Sequence, residues 1–150
     1  MDANEIQIGG KHYLIKYQHW DLVCDTNMPY LLGCATKYPT RWQSKGGVED
    51  LRKSLHYLRK ADELEIYMPE NKWWEKPIFD IFGRPTTEQR IRYYTIHFIV
   101  QLPAPEANIV RLIVGGHYDM ARNKLDLLIE EELSKPCSGY TNQDPTYFRG

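Results

Sequence analysis

From Val48 onward the apolar residues Val48, Leu51, Leu55 and Leu58 recur at three- and four-residue spacing, with charged residues between them. That spacing lays one apolar stripe along an α-helix, whereas a strand of period two would scatter it over both faces. The chain before it reads the same way. Gln18 to Thr26 forms a short helix after an irregular stretch from His12 to Tyr17. A second helix starts near Met28–Pro29, where proline suits a first turn, and runs through LLGCATKY until Pro39 kinks or ends it. Lys45-Gly46-Gly47 is a loop.

Residues 66–85 carry three prolines and read as a long, partly irregular connection. Thr86 with Gln89 resembles a capping box, opening a helix through Ile91, Tyr94, Thr95 and Phe98 that Pro103 and Pro105 end. A further helix covers Glu106 to Val114, and Gly115-Gly116 breaks the chain. The last helix runs from about His117 to Leu133, with Ala121, Leu125, Leu128 and Ile129 on its apolar side. The tail from Pro136 reads as extended. The expectation is an all-α single domain of about five helices, divided into segments 10–60, 61–135 and 136–150. The alternative is α+β, because YTIHFIVQL is rich in β-branched residues.

At 150 residues the chain is long enough to bury a core without staples, and 42% hydrophobic content excludes disorder. A formal net charge of −1 excludes general nucleic-acid binding by bulk charge, so an anion site must come from local clustering. Eleven Tyr and four Trp point to binding surfaces and self-association, and a homo-oligomer is expected. Cys24, Cys34 and Cys137 contain no Cys-x-x-Cys pair, which suits a reducing cytosol. The first residues, MDANEIQIGG, lack a signal-peptide pattern, and the apolar runs are too short for a bilayer. A cytoplasmic protein without a membrane partner is expected.

The chemistry concentrates in the second helix and the loop after it. Tyr30, Gly33, Lys37 and Arg41 are three or four residues apart and share one face if the helix continues past Pro39. Gly33 removes side-chain bulk one turn below Lys37, opening the backbone to a ligand. Tyr30 and Tyr38 flank this surface and can stack on a base. Lys45 follows, and Gly46-Gly47 lead into the next helix, whose free N–H groups form an anion site. A phosphate held by Lys37, Arg41, Lys45 and the Gly46-Gly47 amides is the resulting expectation. The alternative reading is a solvated face and a plain turn. A Gly-x-x-x-x-Gly-Lys-Ser/Thr phosphate loop is absent.

The run KHYLIKYQHWDLV…MPYLLGCATKYPTRWQSKGGVEDLRKSLHYLRK resembles a small phage domain known from a coliphage nucleotide kinase. The matching residues are Lys11-His12-Tyr13; Gly33, Lys37, Tyr38 and Arg41; Lys45; and Asp50-Leu51, Lys53 and Tyr57. They cover about residues 10–60, and Pro39 departs from the pattern at a position where the family has a helix former. The resemblance implies a phage-encoded protein of the host cytoplasm that handles nucleotides, with Lys11, His12 and Tyr13 joining the ligand-binding set.

Other groups are weaker. His12, His19 and Asp21 do not suffice for a metal, and no metal site is assigned. Gly115-Gly116 before His117-Tyr118-Asp119, with Arg122, offers a second anion site or a plain cap. Trp73-Trp74, between Lys72 and Lys76, forms a lid, an oligomer contact or a buried pair. Glu130-Glu131-Glu132 is a solvated face.

Three functions follow from these residues. The first is a binding module that sequesters a nucleotide or nucleotide-derived second messenger, such as a cyclic or ADP-ribose-derived signal of host immunity. The second is a nucleoside monophosphate kinase acting on dTMP or dGMP, with Asp21 or Asp50 as base or magnesium ligand; magnesium is a cofactor only in that case. The third is an inhibitor of a host protein.

Overall fold

The computed structural model describes residues 17–69 and 95–136. Among them every regular element is helical and no strand occurs, so the fold is all-α. The helices are α1 (His19–Asp25), α2 (Tyr30–Lys37), α3 (Val48–Glu63), α4 (residues 95–100), α5 (Ala104–Val114) and α6 (Tyr118–Ser134).

Each boundary has a local cause. Asp21 reaches back to accept the Gln18 N–H at 2.9 Å, satisfying a donor at the start of α1. Thr26 closes that helix by donating its hydroxyl to Leu22 O at 2.7 Å, and Asn27 turns the chain with φ of 49°. Pro29 stands at the N-cap of α2. α2 stops at Lys37, with Tyr38 as C-cap immediately before Pro39, so the second helix ends rather than kinks. Arg41 therefore lies beyond the helix, in the turns that lead to α3. Pro103 caps α5 and Pro105 sits in its first turn, so these prolines open a helix two residues earlier than Glu106. The YTIHFIV stretch is helical from residue 95 to residue 100. The connection at 70–94, with Thr86, Gln89 and Trp73-Trp74, and the tail beyond residue 136 lie outside the described residues.

The core forms where α2 packs on α3, α3 on α6, and α6 on α5. Leu51 and Leu58 of α3 are buried against Leu32 of α2 and Leu125 of α6 within one apolar cluster. Burying each such leucine contributes about 2 kcal/mol. Two polar contacts cross this core. Ser54 donates to Ala35 O at 2.7 Å, stitching α3 to α2. Trp42 Nε1 donates to Glu106 Oε1 at 2.6 Å, tying the α2–α3 turns to α5. No helix among the described residues is long and apolar enough to cross a membrane.

Candidate functional site

The turn after α2 and the first turns of α3 face each other, and between them lies a carboxylate. Asp50 is 1% exposed. Arg41 Nε donates to Asp50 Oδ2 at 2.9 Å, with Arg41 Nη2 3.4 Å from Oδ1. Lys53, one turn further along α3, places Nζ 3.5 Å from Oδ1. Gly46 packs so closely on this carboxylate that a Cβ there would stand 2.2 Å from Asp50 Cγ. Gly47, with φ of 54°, takes a left-handed conformation at the N-cap of α3.

Within the expected phosphate seat, Arg41 and Gly46 both meet the chain's own Asp50 carboxylate. Lys45 is exposed. Lys37 is the last residue of α2, and its charge acts on His19 of α1. Gly33 is buried, and a Cβ there would meet Val23 Cγ2 of α1 at an ordinary 3.5 Å. The packing of α2 on α1 therefore leaves room for a side chain at this position. Lys11, His12 and Tyr13 lie outside the described residues.

An aromatic stripe accompanies the charges. Tyr30, Cys34 and Tyr38 follow one another at four-residue spacing along α2 and its C-cap. The Tyr38 ring stacks on Tyr57 of α3 at 5.6 Å, with 15° between the planes. Arg41 Cζ lies 4.7 Å from the Tyr38 ring centre, and Lys53 Nζ lies 5.8 Å from it. Two cations and a ring therefore surround Tyr38; Tyr57 is half-buried, and Tyr30 is 75% exposed. The Tyr57 hydroxyl titrates above its ordinary value because of the neighbouring Tyr38 charge, with Cys34 adding to it. Tyr30 shifts the same way, first through a hydrogen bond with the Cys34 side chain.

Asp50, Lys53 and Tyr57 belong to the motif carrying the family resemblance, yet not to the expected phosphate seat. Spacing along one helix gives no signal for a partner across a turn; Asp50 and Lys53 stand out in the sequence through the resemblance, and Asp50 also as a candidate base or magnesium ligand. His19 is a second such residue. Its Nε2 lies 2.9 Å from Thr36 Oγ1, and its ring meets Phe98 edge-on at 6.0 Å. Burial pushes its pKa down to about 4, and the Lys37 charge adds to the effect. His19 is thus a neutral, packed histidine at pH 7.

The carboxylates open to kinase chemistry both have partners. Asp21 caps α1, and Asp50 holds Arg41 and Lys53. Arg122 bonds Asp119 in its own first turn and lies 3.5 Å from Asp62 of α3, so the start of α6 is a helix-to-helix tie. Among the described residues no three His, Cys, Asp or Glu side chains gather as metal ligands. No family model, curated protein or solved structure matches the chain.

Proposed function

We propose that the chain binds a phosphate-bearing nucleotide on the surface made by Tyr30, Tyr57 and Lys53. The observation that carries this reading is the cationic, aromatic clasp between α2 and α3. A stacked tyrosine pair sits under two cations that share a single buried carboxylate. Arg41 and Lys53 both reach the Asp50 carboxylate. Lys53 is 44% exposed and only loosely held at 3.5 Å, so it can turn from Asp50 to an incoming phosphate without losing the Arg41 pair. Tyr57 and Tyr30 offer ring faces on which a base stacks, a contact that needs no sequence-specific hydrogen bond.

Sequestration fits this surface better than turnover. Binding requires charge pairing, stacking and enclosure. Phosphoryl transfer further requires a base or metal-holding carboxylate, and Asp21 and Asp50 are occupied in the fold. The resemblance over residues 10–60 supports a phage origin and a nucleotide partner, and a host immune messenger is the ligand class that a phage binder of this size would take up. The tyrosine and tryptophan surplus favours a homo-oligomer, which a native mass spectrum measures directly.

Isothermal titration against cyclic oligonucleotides, ADP-ribose derivatives, dTMP and dGMP tests the reading. Micromolar binding with recovery of intact ligand supports sequestration. Absence of heat with every ligand at micromolar concentration ends it. Consumption of a nucleoside triphosphate in the presence of dTMP or dGMP replaces it with the kinase.

A further inference from the structure

A cavity lies between α4 and the C-terminal end of α5. It encloses about 590 Å³, within the range of small-molecule sites. Ile96 and Val100 of α4 and Val114 of α5 form its walls, and Arg111 and His117 stand at its edge. Ile96 and Val100 are 52% and 73% exposed, so these walls are not consumed by the core.

We propose that this cavity binds an amphipathic organic anion, with the apolar body between α4 and α5 and the acidic group at Arg111 and His117. The charge around the opening selects for an anion. Among the described residues no Asp or Glu lines the cavity, and the polar contact found for Arg111 is to the neutral amide of Asn108, which accepts from Nη2 at 2.5 Å. Among these residues the guanidinium meets no carboxylate, and it retains donors for a carboxylate or sulfonate. The carbonyl end of α5 presents few free acceptors to such a ligand. Its exposed carbonyls are taken up by the Gly115, Gly116 and His117 N–H groups at 2.9, 3.1 and 2.8 Å.

Two further observations mark a built site. Gly115 lets the His117 ring fold back over the helix end, since a Cβ there would meet His117 Cδ2 at 3.2 Å. Thr95, 3% exposed, contributes to the lining with a hydroxyl that has no hydrogen-bond partner among the described residues. A polar group left unsatisfied against an otherwise apolar cavity is costly in the empty protein, and a small shift of α4 on ligand entry would bring it a partner.

A matched probe pair tests this on the full chain: anilinonaphthalene sulfonate and its uncharged parent, phenylnaphthylamine, followed by fluorescence. The sulfonate is expected to bind about tenfold more tightly than the neutral ring system. Arg111→Gln, at an exposed position that leaves folding intact, should remove that preference while leaving phenylnaphthylamine binding unchanged. Val100→Asp, also exposed, should weaken the sulfonate more than the neutral probe. Amide chemical-shift changes should cluster at residues 95–100 and 111–117. Equal affinity for the two probes overturns the proposal. So does an Arg111→Gln protein that keeps the sulfonate preference, or shift changes confined to α2 and α3.

Discussion

Trp42 and Glu106, 64 residues apart, share a 2.6 Å hydrogen bond in the core, and Glu106 Oε2 finds no partner among the described residues. The indole N–H is therefore the donor that makes a 2% exposed carboxylate tolerable there. Trp42→Phe keeps most of the ring and removes that donor. A loss of about 2–3 kcal/mol is expected, because the bond is to an ionisable acceptor left behind in the core. Glu106→Leu in the same protein should recover more than half of it. Urea unfolding followed by circular dichroism measures both, and an equal Trp42→Phe cost with Glu106 present or replaced would show that the two side chains are not coupled.

Two glycines of the resemblance region should respond in opposite directions to the same substitution. Gly33 lies inside α2, where a Cβ finds 3.5 Å to Val23, so Gly33→Ala is expected to stabilise by about 0.5–1 kcal/mol through helix propensity. Gly46 abuts the Asp50 carboxylate, where a Cβ would stand 2.2 Å from Cγ. Gly46→Ala must displace the buried acid from Arg41, and a loss of about 1–3 kcal/mol is expected. A calorimetric melt of each variant decides it. The opposite order would mean that the α2–α3 turn is not seated on Asp50.

These two glycines also mark where the sequence was legible. Periodicity and proline positions located α3, the end of α2 before Pro39, the Gly115-Gly116 break and the apolar side of α6, because each depends on neighbours a few residues away. Pro105 was read as a stop and is part of a start, since proline suits a first turn as well as a break. The site was less legible. Tyr30, Gly33, Lys37 and Arg41 share a face only on an uninterrupted helix, and α2 ends at Lys37. What holds Arg41 is then decided by a carboxylate nine residues later, which no helical spacing encodes.

The half-buried His19, packed on Thr36 and Phe98, makes stability depend on pH. Its pKa is about 4 in the folded chain against 6.5 as the ordinary value. Between those values the unfolded chain holds a proton that the folded chain does not, so stability falls as the pH drops from 6.5 to about 4 and levels off below. The full contribution is about 3 kcal/mol. His19→Gln retains a hydrogen-bonding side chain toward Thr36 and cannot titrate. The difference in unfolding free energy between the native chain and this variant, measured at pH 7, 5.5 and 4, should change by most of that amount. A constant difference across the three values would place His19 in water rather than against Phe98.

Arg41 and Lys53 share Asp50, yet their removal should have separate consequences. Arg41→Ala leaves a 1% exposed carboxylate facing Lys53 alone, and a stability loss of about 3–5 kcal/mol is expected. Nucleotide affinity measured on that variant therefore reports unfolding together with contact loss. Lys53 is 44% exposed and its pair with Asp50 is loose, so Lys53→Ala should cost less than about 1 kcal/mol of stability. If the clasp binds phosphate, the same variant should lose about tenfold in nucleotide affinity. Lys37→Ala, whose side chain acts on His19 instead, should keep native affinity and shift the His19 titration upward by removing a repelling charge. Titration of all three with one nucleotide, beside their urea curves, separates the roles. Should Lys37→Ala abolish binding while Lys53→Ala retains it, the phosphate sits between α1 and α2, and the clasp is a device of the fold alone.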